Sequence, residues 1–281
     1  MKVLIVGNTS VVGMRIALEL SQRHDIKTAG RNGAADVFFD LRTGGGPTFP
    51  LAFDAIVHCA ASFQGDTLAE MLVNEELNSV GALRVAKLAQ DTECKHLVYV
   101  STISVLDHPD NRYFGSYALS KRHAQENLQL WCGKAGIAFT SLLPSQIYDE
   151  AGQARKHQPL LYHIVDCARR ADNVSLFGTA DPLRNYLYVG DLANVVEQVV
   201  SKRAQGIFPC LAPDSLPISD VARIAFEVFG TKMQITRLAD RRDIPSIHIP
   251  RDDSLFDATG YRPTTELREG LTKIRDYVPA I

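Results

Sequence analysis

Two hundred and eighty-one residues, 46% hydrophobic and 22% charged, can bury a sizeable core as one large domain or a domain with a smaller lobe. Thirty Lys and Arg stand against thirty-two Asp and Glu, a net charge of −2 spread along the chain, which argues against a nucleic-acid binder. No apolar run approaches the roughly 20 residues of a membrane span, and the N-terminal run is broken at Gly7, too short for a signal peptide.

The first element expected is a strand, Lys2–Val6, followed by a helix over Val12–Leu20 with Val12, Ile16 and Leu20 on one face. Strand-like runs follow at Ile26–Ala29 and Val37–Phe39. Thr43–Pro50, with its three consecutive glycines, reads as a turn or surface loop. Further strands are expected at Ala55–Cys59, His96–Val100 and Ala138–Leu143, and helices at Leu77–Ala89 and Tyr117–Trp131. Short strands apolar on both faces, alternating with helices, predict a Rossmann-like, doubly wound α/β fold with a parallel sheet. Beyond Pro144 the alternation weakens. A helix is expected at Leu160–Arg170, strands at Val174–Phe177 and Tyr186–Val189, and a helix capped by Asp191 with Leu192, Val195, Val196 and Val199 buried. Helices at Ser219–Phe229 and Glu266–Val278 complete a smaller α+β lobe. The expected division is residues 1–145 with a returning segment near 178–210, against 146–177 and 211–281.

Five cysteines (Cys59, Cys94, Cys132, Cys167, Cys210) are odd in number and widely spaced, and the histidines form no H-E-x-x-H. This predicts a reduced, cytoplasmic protein with no metal site.

Gly7-Asn8-Thr9-Ser10-Val11-Val12-Gly13 joins the first strand to the first helix, where a dinucleotide pyrophosphate can approach backbone N–H groups. Gly7 permits a tight turn and Gly13 close packing of helix on strand. Ser10 stands where many such loops carry glycine; its Cβ can crowd the phosphate or its hydroxyl can donate to it. The second strand ends in Arg31 rather than the acid that binds a ribose 2′-hydroxyl, so a 2′-phosphate and NADP are favoured over NAD, the alternative being a solvated arginine. Asp40-Leu41 can receive the adenine amino group, or Asp40 is a turn residue.

Tyr117 and Lys121, at i and i+4, share one helix face. An ammonium beside a phenol is expected to lower its pKa and make a proton relay for hydroxyl–carbonyl interconversion. Upstream, the buried strand of His96–Val100 runs into the hydroxyls of Ser101, Thr102 and Ser104, one of which can bond the reacting oxygen together with Tyr117.

With these residues the chain resembles the extended short-chain dehydrogenases/reductases, in their NAD(P)-dependent epimerase/dehydratase branch. Gly7–Gly13 is similar to its G-x-x-G-x-x-G except at Ser10, and His58-Cys59-Ala60-Ala61 to its fourth-strand end beside the cofactor. Asn78 resembles its bracing asparagine. The resemblance makes Thr102, Tyr117 and Lys121 the catalytic set, with Lys121 also on the cofactor ribose, and puts Cys59, Ala60, Ala61, Pro144 and Ile147 at the cofactor. Ser104, Gln146 and Arg184 join Tyr117 at the substrate; Arg184 heads an R-D-F-V-Y-V-D-D-V-like segment and stands for a diphosphate contact or a lobe anchor. Thr259–Pro263 and Leu267–Leu271 resemble the terminal G-W-x-P and L-x-x-G-L elements. Ile103-Ser104 replaces the Asp-Glu of the 4,6-dehydratases, Leu143 an arginine and Asp149 a glycine. The resemblance implies an NADP-dependent reductase of a nucleotide-linked deoxysugar, with three alternatives: a nucleotide-sugar epimerase, a reductase of sterol-like or flavonoid-like alcohols, or a non-catalytic dinucleotide sensor. A homodimer through helices 77–89 and 117–131 is also implied.

Overall fold

A computed structural model of the chain describes residues 1–47, 51–107, 114–247, 249 and 252–279. In chain order its strands are β1 Lys2–Val6, β2 Asp25–Gly30, β3 Val37–Asp40, β4 Gly44–Gly45, β5 Ala55–His58, β6 His96–Val100, β7 Ala138–Pro144, β8 Gln146–Tyr148, β9 Val174–Phe177, β10 Leu183–Arg184, β11 Tyr186–Tyr188, β12 Gly206–Cys210, β13 Leu216–Pro217 and β14 Ile235–Leu238. The helices are α1 Val11–Leu20, α2 Leu68–Asn74, α3 Gly81–Asp91, α4 Ser116–Ala135, α5 Pro159–Arg170, α6 Val189–Lys202, α7 Ile218–Phe229, α8 Ser254–Thr259 and α9 Leu267–Asp276.

The chain divides into two units. The first comprises Met1–Pro144, Leu192–Cys210 and Asp252–Arg262. Among the described residues its sheet has eight strands in the order β12-β7-β6-β5-β1-β2-β3-β4. All adjacent pairs are parallel except β3 with β4. Strands β5 and β6 are buried at every residue, as a parallel sheet covered on both faces requires. Leu4, Ile56, Val85, Leu97 and Leu128 meet in one cluster on one side of it. The strand order reverses at β1, which pairs with β2 on one side and β5 on the other, so a crevice opens at the carboxyl ends of β1 and β5.

Helix α2 starts at a capping box: Thr67 Oγ1 accepts from Glu70 N–H, and Glu70 Oε2 accepts from Thr67 N–H at 3.1 Å. It runs without a break through a π-helical turn, Glu75–Val80, into α3. The turn is closed by Gly81 N–H donating to Glu76 O, five residues back. The helix expected at Leu77–Ala89 is therefore longer, because one extra residue in a turn leaves the apolar period on either side intact.

The second unit comprises Ser145–Asp191, Leu211–Arg251 and Pro263–Ile281. Among the described residues it holds three two-stranded sheets, β8 with β11, β10 with β13 and β9 with β14, packed with α5, α7 and α9. Buried Tyr148 lies against Gly270 of α9, where any Cβ would overlap the phenol oxygen. Two segments depart from the expected division. Residues 178–191 belong to the second unit, in which β10 and β11 find their partners. Asp252–Arg262 belongs to the first, where α8 packs against β12.

Two local expectations are also corrected. Asp191 is not an N-cap: α6 begins at Val189, and Asp191 Oδ2 instead accepts from the backbone N–H groups of Thr264 and Thr265, at 3.1 and 2.8 Å. Of the loop expected at Thr43–Pro50, Gly44–Gly45 pairs with Phe39–Asp40 as an edge strand, and residues 48–50 lie outside the described residues.

Candidate active site

The loop after β1 turns sharply at Gly7, whose φ of +100° suits glycine. A Cβ at Gly7 would stand 2.6 Å from Ala60 N, and one at Gly13 would overlap Gly7 O. Ser10 is the N-cap of α1. Its Oγ accepts from Gly13 N–H at 2.9 Å and donates to Gly7 O at 2.9 Å. Its single proton therefore holds the turn, a third outcome beside the two expected for it. Val11 and Val12 N–H, in the first turn, have no acceptor within the helix, and no acid stands there. A closely packed loop aiming free N–H groups and a positive helix end outward fits a dinucleotide pyrophosphate.

Arg31 is exposed just beyond β2. Asp40 Oδ1 accepts from Arg42 N–H at 2.8 Å, as a turn residue does, and Leu41 O accepts from Arg84 Nη1. At the end of β5, Cys59 and Ala60 N–H both donate to Val6 O, which joins this strand end to the glycine loop. Cys59 is buried, its thiol pushed up to about 12 by desolvation, and Ala61 is exposed.

Lys121 on α4 is 1% exposed. Its Nζ donates to Val100 O, the last carbonyl of β6, at 2.7 Å, and lies 4.1 Å from the centre of the Tyr99 ring. Burial brings its pKa down to about 7. His58, fully buried and 5.4 Å from Tyr99 ring to ring, is pushed down to about 3 by burial and by Lys121, so it stays neutral. Tyr117 is pushed up to about 12 by burial. The expected lowering by the ammonium is not seen, because Lys121 is turned to the strand carbonyl while the phenol is desolvated. Among the described residues the Tyr117 hydroxyl has no hydrogen-bond partner.

Thr102 caps a one-turn helix, Ile103–Leu106, with Oγ1 accepting from Ser104 N–H at 3.3 Å. Arg122 on α4 donates through Nε to Val105 O at 2.8 Å, which ties this turn to the helix bearing Tyr117. Two asparagines hold the opposite side. Asn78 Oδ1 accepts from Ser62 N–H at 2.7 Å, and its Nδ2 donates to Ser62 O and Ser120 Oγ, both at 2.9 Å. Asn74 repeats this one turn earlier, accepting from Gln64 N–H at 3.1 Å and donating to Gln64 O at 3.3 Å and Ser116 Oγ at 2.8 Å. The sequence reading singled out Asn78 but missed Asn74. The matched spacings Asn74/Asn78 and Ser116/Ser120 were the available signal.

Pro144 ends β7, paired with Cys210 of β12 in the first unit. In the second unit, Gln146 Nε2 donates to Gln158 Oε1 at 3.2 Å, and Ile147 pairs with Leu187. Arg184 is buried, its Nη1 donating to Leu183 O at 2.6 Å and Pro245 O at 3.0 Å. It also lines a cavity of this unit with Tyr186, Asp214 and Arg268. Asp149, where the family has glycine, is buried and accepts from Gln153 and Ala154 N–H. No group of three or more His, Cys, Asp or Glu able to hold a metal occurs among the described residues.

A doubly wound sheet, a glycine loop at its switch point and a tyrosine–lysine helix beside a strand-end threonine define the extended short-chain dehydrogenase/reductase class. The model of the NAD dependent epimerase/dehydratase family matches residues 3–208, and the chain belongs to that family. It is 21% identical over 236 residues to the CDP-abequose synthase of Salmonella typhimurium, covering 79% of this chain and 76% of that protein. The fold is shared with UDP-N-acetylglucosamine 4-epimerase from Bacillus cereus, with a TM-score of 0.79, 16% identity and coverage of 100% and 99% of the two chains. It is equally shared with RMD from Pseudomonas aeruginosa complexed with NADPH, with a TM-score of 0.79, 18% identity and coverage of 97% and 95%.

Proposed function

We propose that the chain is an NADP-dependent reductase acting on a keto group of a nucleotide-linked deoxysugar. The observation that carries this reading is the half-buried Tyr117 phenol on the helix that Arg122 ties to the Thr102 turn; desolvation pushes its pKa up, so it is a proton donor at neutral pH. Tyr117 gives its proton to the keto oxygen as that oxygen gains charge. Thr102, whose Oγ1 already accepts from Ser104 N–H, keeps its own proton to bond the same oxygen. When bound, a nicotinamide would supply the hydride for the adjacent carbon. The loop Gly7–Gly13 holds the pyrophosphate, Arg31 the 2′-phosphate, and Lys121 the ribose hydroxyls. Asp40, Leu41, Cys59, Ala60, Ala61 and Pro144 line the cofactor, and Ser104 meets the substrate. Without Asp-Glu after Thr102, the chain lacks the acid and base for elimination of water.

Fluorescence titration with NADPH and NADH tests the cofactor. NADPH is expected to bind at least about tenfold more tightly, since a charge-assisted contact to phosphate contributes roughly 1.5–3 kcal/mol. Arg31→Ala is expected to remove the preference and leave NADH binding unchanged; equal affinities in the unaltered protein would refute NADP selectivity. The similarity to 4-epimerases supports a second reading, a nucleotide-sugar epimerase, and net consumption of NADPH with keto-sugar nucleotides separates the two.

The reading includes a cytoplasmic homodimer. Five buried free thiols suit a reducing compartment, and among the described residues no helix is long and apolar enough to cross a membrane. Val80, Leu83 on α3 and Leu130 on α4 are exposed apolar residues on the helices implied in pairing. Light scattering is expected to give twice the 31.0 kDa chain mass, and Leu83→Glu with Leu130→Glu to return it to one chain.

A further inference from the structure

Phe63 lies in the segment that follows β5, between the two residues the asparagine clamps hold. Ser62 on one side and Gln64 on the other each have both backbone groups bonded to one carboxamide, as a paired strand would bond them. The same two carboxamides donate to Ser116 and Ser120 on α4, the residues one before and three after Tyr117. Asp66 Oδ1 accepts from Ser116 N–H at 2.6 Å, and Ser116 Oγ donates to Gly65 O at 2.8 Å. The backbone carrying Phe63 and the helix carrying Tyr117 are thus set against each other by shared anchors. Across that register the two rings sit 4.5 Å apart, centroid to centroid, with planes inclined at 58°. That spacing and tilt suit a favourable aromatic pair. Phe63 is 52% exposed, an unusual cost for a phenylalanine on so firmly held a loop.

We infer that Phe63 is a positioning residue for proton transfer: its ring fixes the Tyr117 phenol and keeps water from one side of it, and Asn74 and Asn78 hold Phe63 in place. The role of the phenol rests on the reductase reading above, whereas the contact and its effect on the phenol do not. Removing the ring lets water reach the phenol and stabilise the phenolate, so the hydroxyl ionises more easily. A residue that packed elsewhere and did not keep water from the phenol would leave that ionisation alone.

The test follows Tyr117 itself, independently of any substrate. Full-length protein carrying tyrosine labelled with carbon-13 at the ring carbon bonded to oxygen is titrated by NMR, and the Tyr117 signal is assigned by its loss in Tyr117→Phe. At about pH 11 the Tyr117 phenol of the unaltered protein, with its pKa near 12, is expected to be about one-tenth ionised. In Phe63→Ala its midpoint is expected to fall by about one unit, so that about half is ionised at that pH, with the other tyrosine signals unmoved. Phe63→Leu, which restores apolar bulk, is expected to return most of the shift. An alanine variant that titrates as the unaltered protein does overturns the inference, as does a leucine variant shifted as far as the alanine one. Should the alanine protein fail to fold, Phe63→Gln, of similar length but readily hydrated, gives the same reading. If neither dinucleotide binds and no keto sugar is reduced, the reductase reading falls while the titration still decides the role of Phe63.

Discussion

Tyr117→Phe is expected to lower turnover of a keto-sugar nucleotide by about two to four orders of magnitude, the range a positioned general acid contributes. NADPH affinity is expected to change by less than about twofold, because the substitution removes one oxygen and leaves the helix in place. Among the described residues that oxygen bonds to nothing, so its loss strands no partner. The ring keeps its contact with Phe63, and the start of α4 stays anchored through Ser116 to Asn74, Asp66 and Gly65. Loss of turnover together with loss of cofactor binding would point to a damaged fold instead, and unchanged turnover would refute the assigned role.

Lys121→Met is expected to change how stability depends on pH. The folded pKa of Lys121, about 7, lies below its ordinary value of 10.5. Between those values the unfolded chain binds more protons than the folded one, so this lysine makes stability rise with pH. Its burial therefore disfavours the fold most fully below pH 7, and that penalty fades as pH approaches 10.5. Between pH 7 and 9 the stability of the unaltered protein minus that of the variant is expected to rise by about 2 kcal/mol. Buried thiols such as Cys59, raised from 9 to about 12, lower stability above pH 9, but both proteins carry them. Urea unfolding at pH 7, 8 and 9 measures the difference; a flat difference would show that the lysine is not desolvated. A buried cation that weakens the fold is retained most readily where it serves the site.

The parallel sheet was legible because strands covered on both faces must be apolar along their whole length, as Leu97-Val98-Tyr99-Val100 is. The start of α6 was not. Asp191 has the residue type and place of an N-cap, but its partners are Thr264 and Thr265, distant in sequence, and no local pattern announces them. Gly44 and Gly45 read as punctuation, although pairing with Phe39 and Asp40 makes them an edge strand. At the candidate site the helical spacing of Tyr117 and Lys121 could be read directly. The direction in which Lys121 points could not, nor could the desolvation of the phenol, which reversed the expected effect. Phe63 and Asn74 gain their roles only once the segment after β5 is laid against α4, a consequence of tertiary packing. Arg184 stood out by motif, yet its guanidinium engages two backbone carbonyls of its own unit.

The last strand of the large sheet has a consequence for synthesis on the ribosome. When β7 has emerged, its outer edge has no neighbour, because the segment that covers it, β12, follows only after residues 145–205, most of them in the second unit, have been made. Thr140 pairs with Gly206 and Pro144 with Cys210, so five buried residues wait with that edge unpaired while a different structural unit is translated. A nascent chain halted in that interval presents an apolar edge able to join another such chain. The first unit therefore cannot complete its sheet segment by segment in chain order, and is closed only by a strand made after much of the second unit.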